Sequence, residues 1–280
     1  MSQDVTPAPI AGHTLACVVI DAADVHRYSG LLARTHAGDV DAIIVRRVED
    51  PRRLAALVER IVAGAVRFPE YPIPPAGAGV VLGGSLDLVT DSLDDHLDAA
   101  RRTRAALGEL CADGGDFESR AAEILGALAG VPARVLEHGD GRTYSPATIR
   151  YLGPGAGIRL HCEDQKLSEP AKARIREAAR PHVSSFYMVM VPPASGGDLL
   201  LYDLTWDAVQ DHHLTRGRID AARVAATHRA ERVPLAAGDM VLFGNGRVHE
   251  VTPVGPGTAR WTIGGFFVYS RDGSEVLFYS

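Results

Sequence analysis

Cysteine is scarce in this chain of 280 residues: Cys17, Cys111 and Cys162 are odd in number, far apart and in no CxxC pair. That excludes a disulfide framework and a cysteine zinc site, and it fits a reducing, cytoplasmic compartment. Positive charge is also short. The 29 Lys and Arg against 35 Asp and Glu give a net charge of −6, leaving no excess to neutralise a phosphate backbone or an anionic membrane, so neither nucleic acid nor membrane is expected as a partner. Only Lys166 and Lys172 are lysines. No apolar run approaches the roughly 18 to 20 residues of a membrane helix. The start, MSQDVTPAPIAGH, lacks the basic-then-apolar order of a signal peptide. Neither GxGxxG nor GxxxxGK[ST] occurs, and Gly196-Gly197 is too short for a phosphate loop.

What is present is a globular composition, 46% hydrophobic and 23% charged, organised differently in its two halves. Residues 1–132 read as a mainly helical flank. Short β-branched runs at 15–20 and 42–48 predict strands with a helix from Asp24 to about Thr35 between them. Asp50 and Pro51 open an amphipathic helix whose face carries Leu54, Leu57, Val58, Ile61 and Val62, ended by Gly64. Two more helices are expected, from about Asp91 to Cys111 and from Phe117 to Leu128, the second capped by Asp116 and stopped by Gly130. From residue 133 the texture becomes strands punctuated by Gly and Pro: 147–152, 157–161, 185–191, 198–204, 239–243, 247–251 and 260–270. Seven or eight such strands suit a jelly roll, so the expected fold class is α+β, a double-stranded β-helix (jelly roll) with flanking N-terminal helices, in a single domain spanning 1–280. A helix from Ser168 to about Arg180 interrupts the strands. A polar insertion at about 207–231 has the character of a lid or substrate loop.

The chemistry gathers at Leu160-His161-Cys162-Glu163-Asp164. On an extended chain residues i and i+2 share a face, so His161 and Glu163 present an imidazole and a carboxylate together. The strand 247–251 offers His249 as a second imidazole. Two histidines and one carboxylate on one face of an octahedron leave positions open on non-heme Fe(II) for a cosubstrate and dioxygen. Asp164 is the rival carboxylate, but i+3 turns it to the other face unless a bulge intervenes. Eleven residues beyond His249, Arg260 opens an apolar strand where a buried guanidinium needs a carboxylate partner, and Thr262 on the same face adds a hydroxyl. That pair suits the far carboxylate of 2-oxoglutarate, whose 2-oxo acid end chelates the metal.

These segments carry a resemblance. HEVTPVGPGTARWTI, preceded by LAAGDMVLF and GGDLLLYDL, resembles the prolyl 4-hydroxylase type of Fe(II)/2-oxoglutarate oxygenases. TYSPATIR, GGDLLLYDLTWD, GDMVLF, TIGGFFVYS and the final VLFYS resemble, in order, the hapalindole and welwitindolinone type of carrier-independent aliphatic halogenases and their hydroxylase relatives. The likeness is strong over the second half and extends to the first only in size and helix content. It implies iron ligands at His161 and His249, a 2-oxoglutarate clamp at Arg260, and a tyrosine touching the cosubstrate at Tyr151. The halogenases carry glycine where Glu163 stands, so that halide occupies the vacated coordination place; a carboxylate there points to hydroxylation. Arg150, on the face opposite Tyr151, receives no catalytic role. Asn245 and Arg247, just before His249, are candidates to contact 2-oxoglutarate or substrate, although Gly-Asn-Gly is first a turn. His212 and His213 are expected in solvent, and Gly264-Gly265 as a close backbone approach. The expected activity is hydroxylation of an unactivated C–H bond in a small molecule such as a natural product, amino acid or nucleotide. The open alternatives are a halogenase or desaturase on the same iron, a peptide hydroxylase, and a non-redox cupin-like binding protein.

Overall fold

The computed structural model describes residues 7, 10, 14–73, 79–88, 92–166 and 172–280. The chain opens with β1 (Cys17–Asp21) and β2 (Ala42–Arg46), apolar β-branched strands paired in parallel. The single helix expected between them is instead a 3-10 segment, Ala22–Tyr28, followed by α1 (Leu31–Ala37). Gly30 at φ +86° breaks it, because a left-handed residue cannot continue a right-handed helix. In α2 (Pro51–Val62) the Asp50 carboxylate accepts the Arg52 N–H at 2.7 Å, Pro51 fills the first turn, and Leu54, Leu57 and Val58 are buried. Val62, assigned to that buried face from the spacing, is exposed at the last turn. The hairpin β3 (Glu70–Ile73) and β4 (Gly79–Leu82) was hidden by prolines; Pro72 is tolerated because β3 lies at the edge of its sheet. Next come α3 (Leu93–Leu110), capped by Ser92, α4 (Phe117–Ala129), capped by Asp116, and β5 (Ala133–Val135).

The strand-rich half follows: β6 (Thr148–Leu152), β7 (Ile158–His161), α5 (Ala173–Ala178), β8 (Ser184–Val191), β9 (Leu199–Thr205), β10 (Leu214–Thr215), β11 (Arg218–Ile219), α6 (Ala221–Ala225), β12 (Ala230–Arg232), β13 (Met240–Phe243), β14 (Arg247–Val251), β15 (Arg260–Tyr269) and β16 (Val276–Tyr279). The helix expected from Ser168 is described only as α5, since 167–171 lie outside the described residues.

Two sheets result. A ten-stranded sheet runs β1-β2-β13-β8-β15-β6-β4-β3, with β16 on β15 and β5 on β16; a four-stranded sheet runs β12-β9-β14-β7. From β6 to β9, and again from β12 to β15, successive strands alternate between the ten-stranded and four-stranded sheets. The N-terminal strands extend the large sheet, β2 on β13 and β4 on β6. The outer face of the large sheet buries Ile43, Val45, Phe186, Met188, Leu242 and Ile263 under Leu54, Leu110, Ile124 and Leu125 of the helices. On its inner face Ala42, Ile44, Val241 and Phe243 pack against Leu199 and Leu201 of the small sheet. Gly264 permits the central strands to meet: a Cβ there would lie 2.2 Å from the Phe186 carbonyl oxygen. Among the described residues no helix is long and apolar enough to cross a membrane.

Candidate metal and cosubstrate site

β14 pairs antiparallel with β7 so that His249 stands directly across from His161, with ring centroids 4.3 Å apart. β7 ends at His161, and a 3-10 turn, Glu163–Lys166, begins two residues later. This turn, and not the strand pleat, brings Glu163 back beside the imidazoles. One ligand atom each from His161, Glu163 and His249 lies within 4.8 Å of the others, which is a donor set for one metal ion. Glu163 Oε1 is 3.4 Å from His249 Nε2 and accepts the Ser185 hydroxyl at 2.5 Å.

The hydrogen bonds on the far side of each ring decide which nitrogen is available. His161 Nδ1 is 2.8 Å from the Arg159 carbonyl oxygen and His249 Nδ1 is 2.9 Å from that of Arg247. A carbonyl only accepts, so each Nδ1 carries the proton and each Nε2 keeps its lone pair for a metal. Burial, reinforced by the neighbouring His249, lowers His161 to about 4. Burial works against a charge on His249 too, but the Glu163 carboxylate outweighs it and raises that group. For Glu163 burial is again opposed by its neighbours, and His249, His161 and Ser185 hold the carboxyl well below the usual carboxylate range. Glu163 is thus ionised and His161 neutral, the states a cation requires, while the positive charge that Glu163 favours on His249 is one a bound cation would replace.

Asp164 is engaged elsewhere. Its carboxylate accepts the Val183 N–H at 2.7 Å and lies 2.6 Å from His182 Nδ1. It ties the turn to the start of β8 and leaves the metal position to Glu163.

A cavity of about 850 Å³ opens beside the triad. Arg260 and Thr262 of β15 both face it, and both are buried. The Arg260 guanidinium carbon sits 5.0 Å from the centroid of the Tyr187 ring, which also lines the cavity. Tyr151 does not reach this space. It pairs with Trp261, ring centroids 4.8 Å apart, on the opposite face of the large sheet, so the expectation of a cosubstrate contact from Tyr151 is not met. Its neighbour Arg150, across from Thr262, faces the cavity instead. Ser185, Tyr187 and Arg150 are thus the site residues that sequence reasoning missed or left unassigned. The alternation in Ser185-Phe186-Tyr187 was the available signal, since Phe186 enters the outer core and the residues on either side must face the cavity.

The remaining candidates separate cleanly. Arg247 ion-pairs with Asp41 and donates to the Tyr202 carbonyl at 3.2 Å, and Asn245, at φ +55°, belongs to the turn before it. His213 is buried and not in solvent, its Nδ1 accepting the Gln210 N–H at 3.1 Å; His212 is exposed. The polar insertion does contribute to the cavity, through Thr215 to Asp220. Its β10–β11 hairpin is tied to the turn that carries Glu163 by a 3.1 Å hydrogen bond from Gln165 Nε2 to the Gly217 carbonyl.

Comparison with known proteins relates the chain to others by fold and by family. The fold is similar to that of an N-substituted L-amino acid dioxygenase from Burkholderia ambifaria AMMD, at 16% identity and TM-score 0.55, covering 92% of this chain and 91% of that one. It is also similar to the structure of an N-substituted L-amino acid dioxygenase from the same organism in complex with alpha-KG, at 13% identity and TM-score 0.52, again covering 92% and 91%. No curated protein matches the chain. The profile of the carrier-protein-independent halogenase WelO5 matches residues 15–280. With that match across nearly the whole chain, and a His-Glu-His donor set in place, the protein belongs to the WelO5 family and is an enzyme of the Fe(II)/2-oxoglutarate oxygenase type.

Proposed function

We propose that the protein hydroxylates an unactivated C–H bond of a free small molecule within one catalytic domain, using Fe(II) held by His161, Glu163 and His249 and 2-oxoglutarate held by Arg260 and Thr262. The observation that carries this reading is the Glu163 carboxylate beside both imidazoles. Its oxygen fills the place that a halogenase must leave open for halide. The alternation of β6 to β9 and of β12 to β15 between the ten-stranded and four-stranded sheets supports a double-stranded β-helix.

When bound, iron, 2-oxoglutarate and dioxygen supply the oxidising power, with carbon dioxide and succinate as co-products. The chain's own residues do the rest. The carbonyls of Arg159 and Arg247 fix the imidazole tautomers, and Ser185 orients Glu163 so that its second oxygen remains free. Arg260 offers a fixed fork for a distal carboxylate and Thr262 a hydroxyl on the same face. Phe243, Val251 and Phe266 give the cavity apolar walls, which exclude water and strengthen each charge interaction inside.

Anaerobic addition of Fe(II) and 2-oxoglutarate should produce a weak visible charge-transfer band. Screening metabolites by mass spectrometry should then find one that gains a single oxygen in step with succinate. Glu163→Gly should lose that product. A chlorinated product from the wild-type protein in chloride buffer, or undiminished hydroxylation by Glu163→Gly, would overturn the assignment in favour of halogenation or another carboxylate ligand.

A further inference from the structure

Arg150 is a second arginine facing the cavity. It lies on β6 opposite Thr262 and Val81, one strand away from Arg260. Its Nε is buried with no hydrogen-bond partner among the described residues. The acidic groups whose charge reaches it are Asp87 and Glu163. Both are committed elsewhere: Asp87 lies 2.5 Å from the buried Lys172 Nζ, and Glu163 serves His249 and Ser185. Burial and the like charge of Arg260 push the Arg150 guanidinium down from its ordinary value, so its charge is disfavoured as the site stands.

Counting charges shows what is missing. Resting on the iron and 2-oxoglutarate reading above, a divalent ion with Glu163 carries one positive charge and Arg260 adds a second; the 2-oxoglutarate dianion balances these two. Asp87 and Lys172 cancel. Arg150 remains, half-buried with its Nε sealed from water, and a guanidinium so placed without a counter-charge is costly. The mouth has the same sign: Arg159, Arg216 and Arg218 line it, while Asp220, the one acid there among the described residues, is occupied by the Thr215 hydroxyl at 2.7 Å and by the N–H groups of Ala222 and Arg223.

We infer that the substrate carries an oxyanion group, a carboxylate or a phosphate monoester, and that Arg150 anchors it while the arginines at the mouth draw it in. This makes Arg150 a specificity-determining residue, distinct from the cosubstrate clamp at Arg260. The reacting carbon would then belong to the part of the molecule that the apolar wall accepts.

The test uses full-length protein loaded with Mn(II) and 2-oxoglutarate, and reads binding by saturation-transfer NMR and calorimetry with benzoate, phenyl phosphate and benzamide. At least one anionic probe should bind tenfold or more tightly than benzamide, and whichever anion is preferred identifies the group. Arg150→Gln should remove that preference while 2-oxoglutarate affinity changes less than threefold. Equal binding of benzamide and both anions by the wild-type protein would overturn the inference without need of any variant. So would a tenfold loss of 2-oxoglutarate affinity in Arg150→Gln, which would make Arg150 a cosubstrate residue. If the wild-type protein fails to bind 2-oxoglutarate at all, the oxygenase reading falls separately. The anion preference, measured without cosubstrate in Arg150→Gln and Arg260→Gln, then still decides: loss in the first variant alone supports an Arg150 anchor, and loss only in the second overturns it.

Discussion

At the scale of single residues, two adjacent carboxylates in this chain have opposite fates. Glu163 turns toward the imidazoles and Asp164 toward the Val183 N–H and His182. The backbone bends between His161 and Glu163, so the two-residue period that suggested their common face gives the right pair for an incomplete reason. Parity also put Arg150 and Tyr151 on opposite faces of their strand, but the family resemblance chose Tyr151 for the cosubstrate, whereas the strand register places Arg150 beside Thr262. A small group matters here as well. Ser185 donates to Glu163 Oε1 at 2.5 Å, and a hydrogen bond behind a metal ligand is typically worth about 10- to 100-fold in metal affinity. Ser185→Ala should weaken Mn(II) or Fe(II) binding by roughly tenfold in a direct titration. Unaltered affinity would show that the Glu163 carboxylate holds its position without the hydroxyl.

At the scale of elements, helices with explicit caps were legible and the strands near prolines were not. Asp116 accepts the Ser119 N–H at 2.7 Å and opens α4, whose Ala121, Ile124, Leu125 and Leu128 are buried. An N-cap of this kind is worth about 1 kcal/mol, so Asp116→Ala should lower the urea midpoint accordingly with an unchanged slope. No shift would mean that packing alone holds the first turn. By contrast β3 and β4 join the large sheet although Pro69 and Pro72 interrupt any strand pattern. That the insertion would border the cavity was suggested by its polarity and length, and Thr215 to Asp220 line it. Its actual device, a two-strand hairpin with Arg216 at φ +51° and Gly217 at φ +73° at the tip, depends on a turn type that composition does not specify.

Over the whole molecule, acid sensitivity should come from buried histidine as much as from the metal site. His96 on α3 is fully buried beside Tyr144, ring centroids 5.4 Å apart, and burial lowers it to about 4 from an ordinary 6.5. The unfolded chain therefore takes up this proton at higher pH than the folded one. The contribution to stability is complete above pH 6.5 and is lost as the pH falls toward 4, with a ceiling of about 3 kcal/mol from the size of the shift. Urea midpoints measured from pH 7 to pH 4 should fall less steeply in His96→Met than in the wild-type protein. Parallel curves would place the acid sensitivity elsewhere.

What the amino-acid order determined by itself was local: short-range periodicity, caps and the types of residue able to hold iron and a dicarboxylate. Those depend on neighbours a few positions apart, and they were sufficient to name His161, Glu163, His249, Arg260 and Thr262. Only tertiary structure decided that His249 faces His161 across 88 residues of chain, that Ser185 supports Glu163, and that Arg150 stands in the cavity while Tyr151 packs behind it. These facts follow from strand register and from a turn at the end of β7. Both are set by which side chains the two sheets bury between them, and such long-range packing leaves no periodic trace in a single sequence.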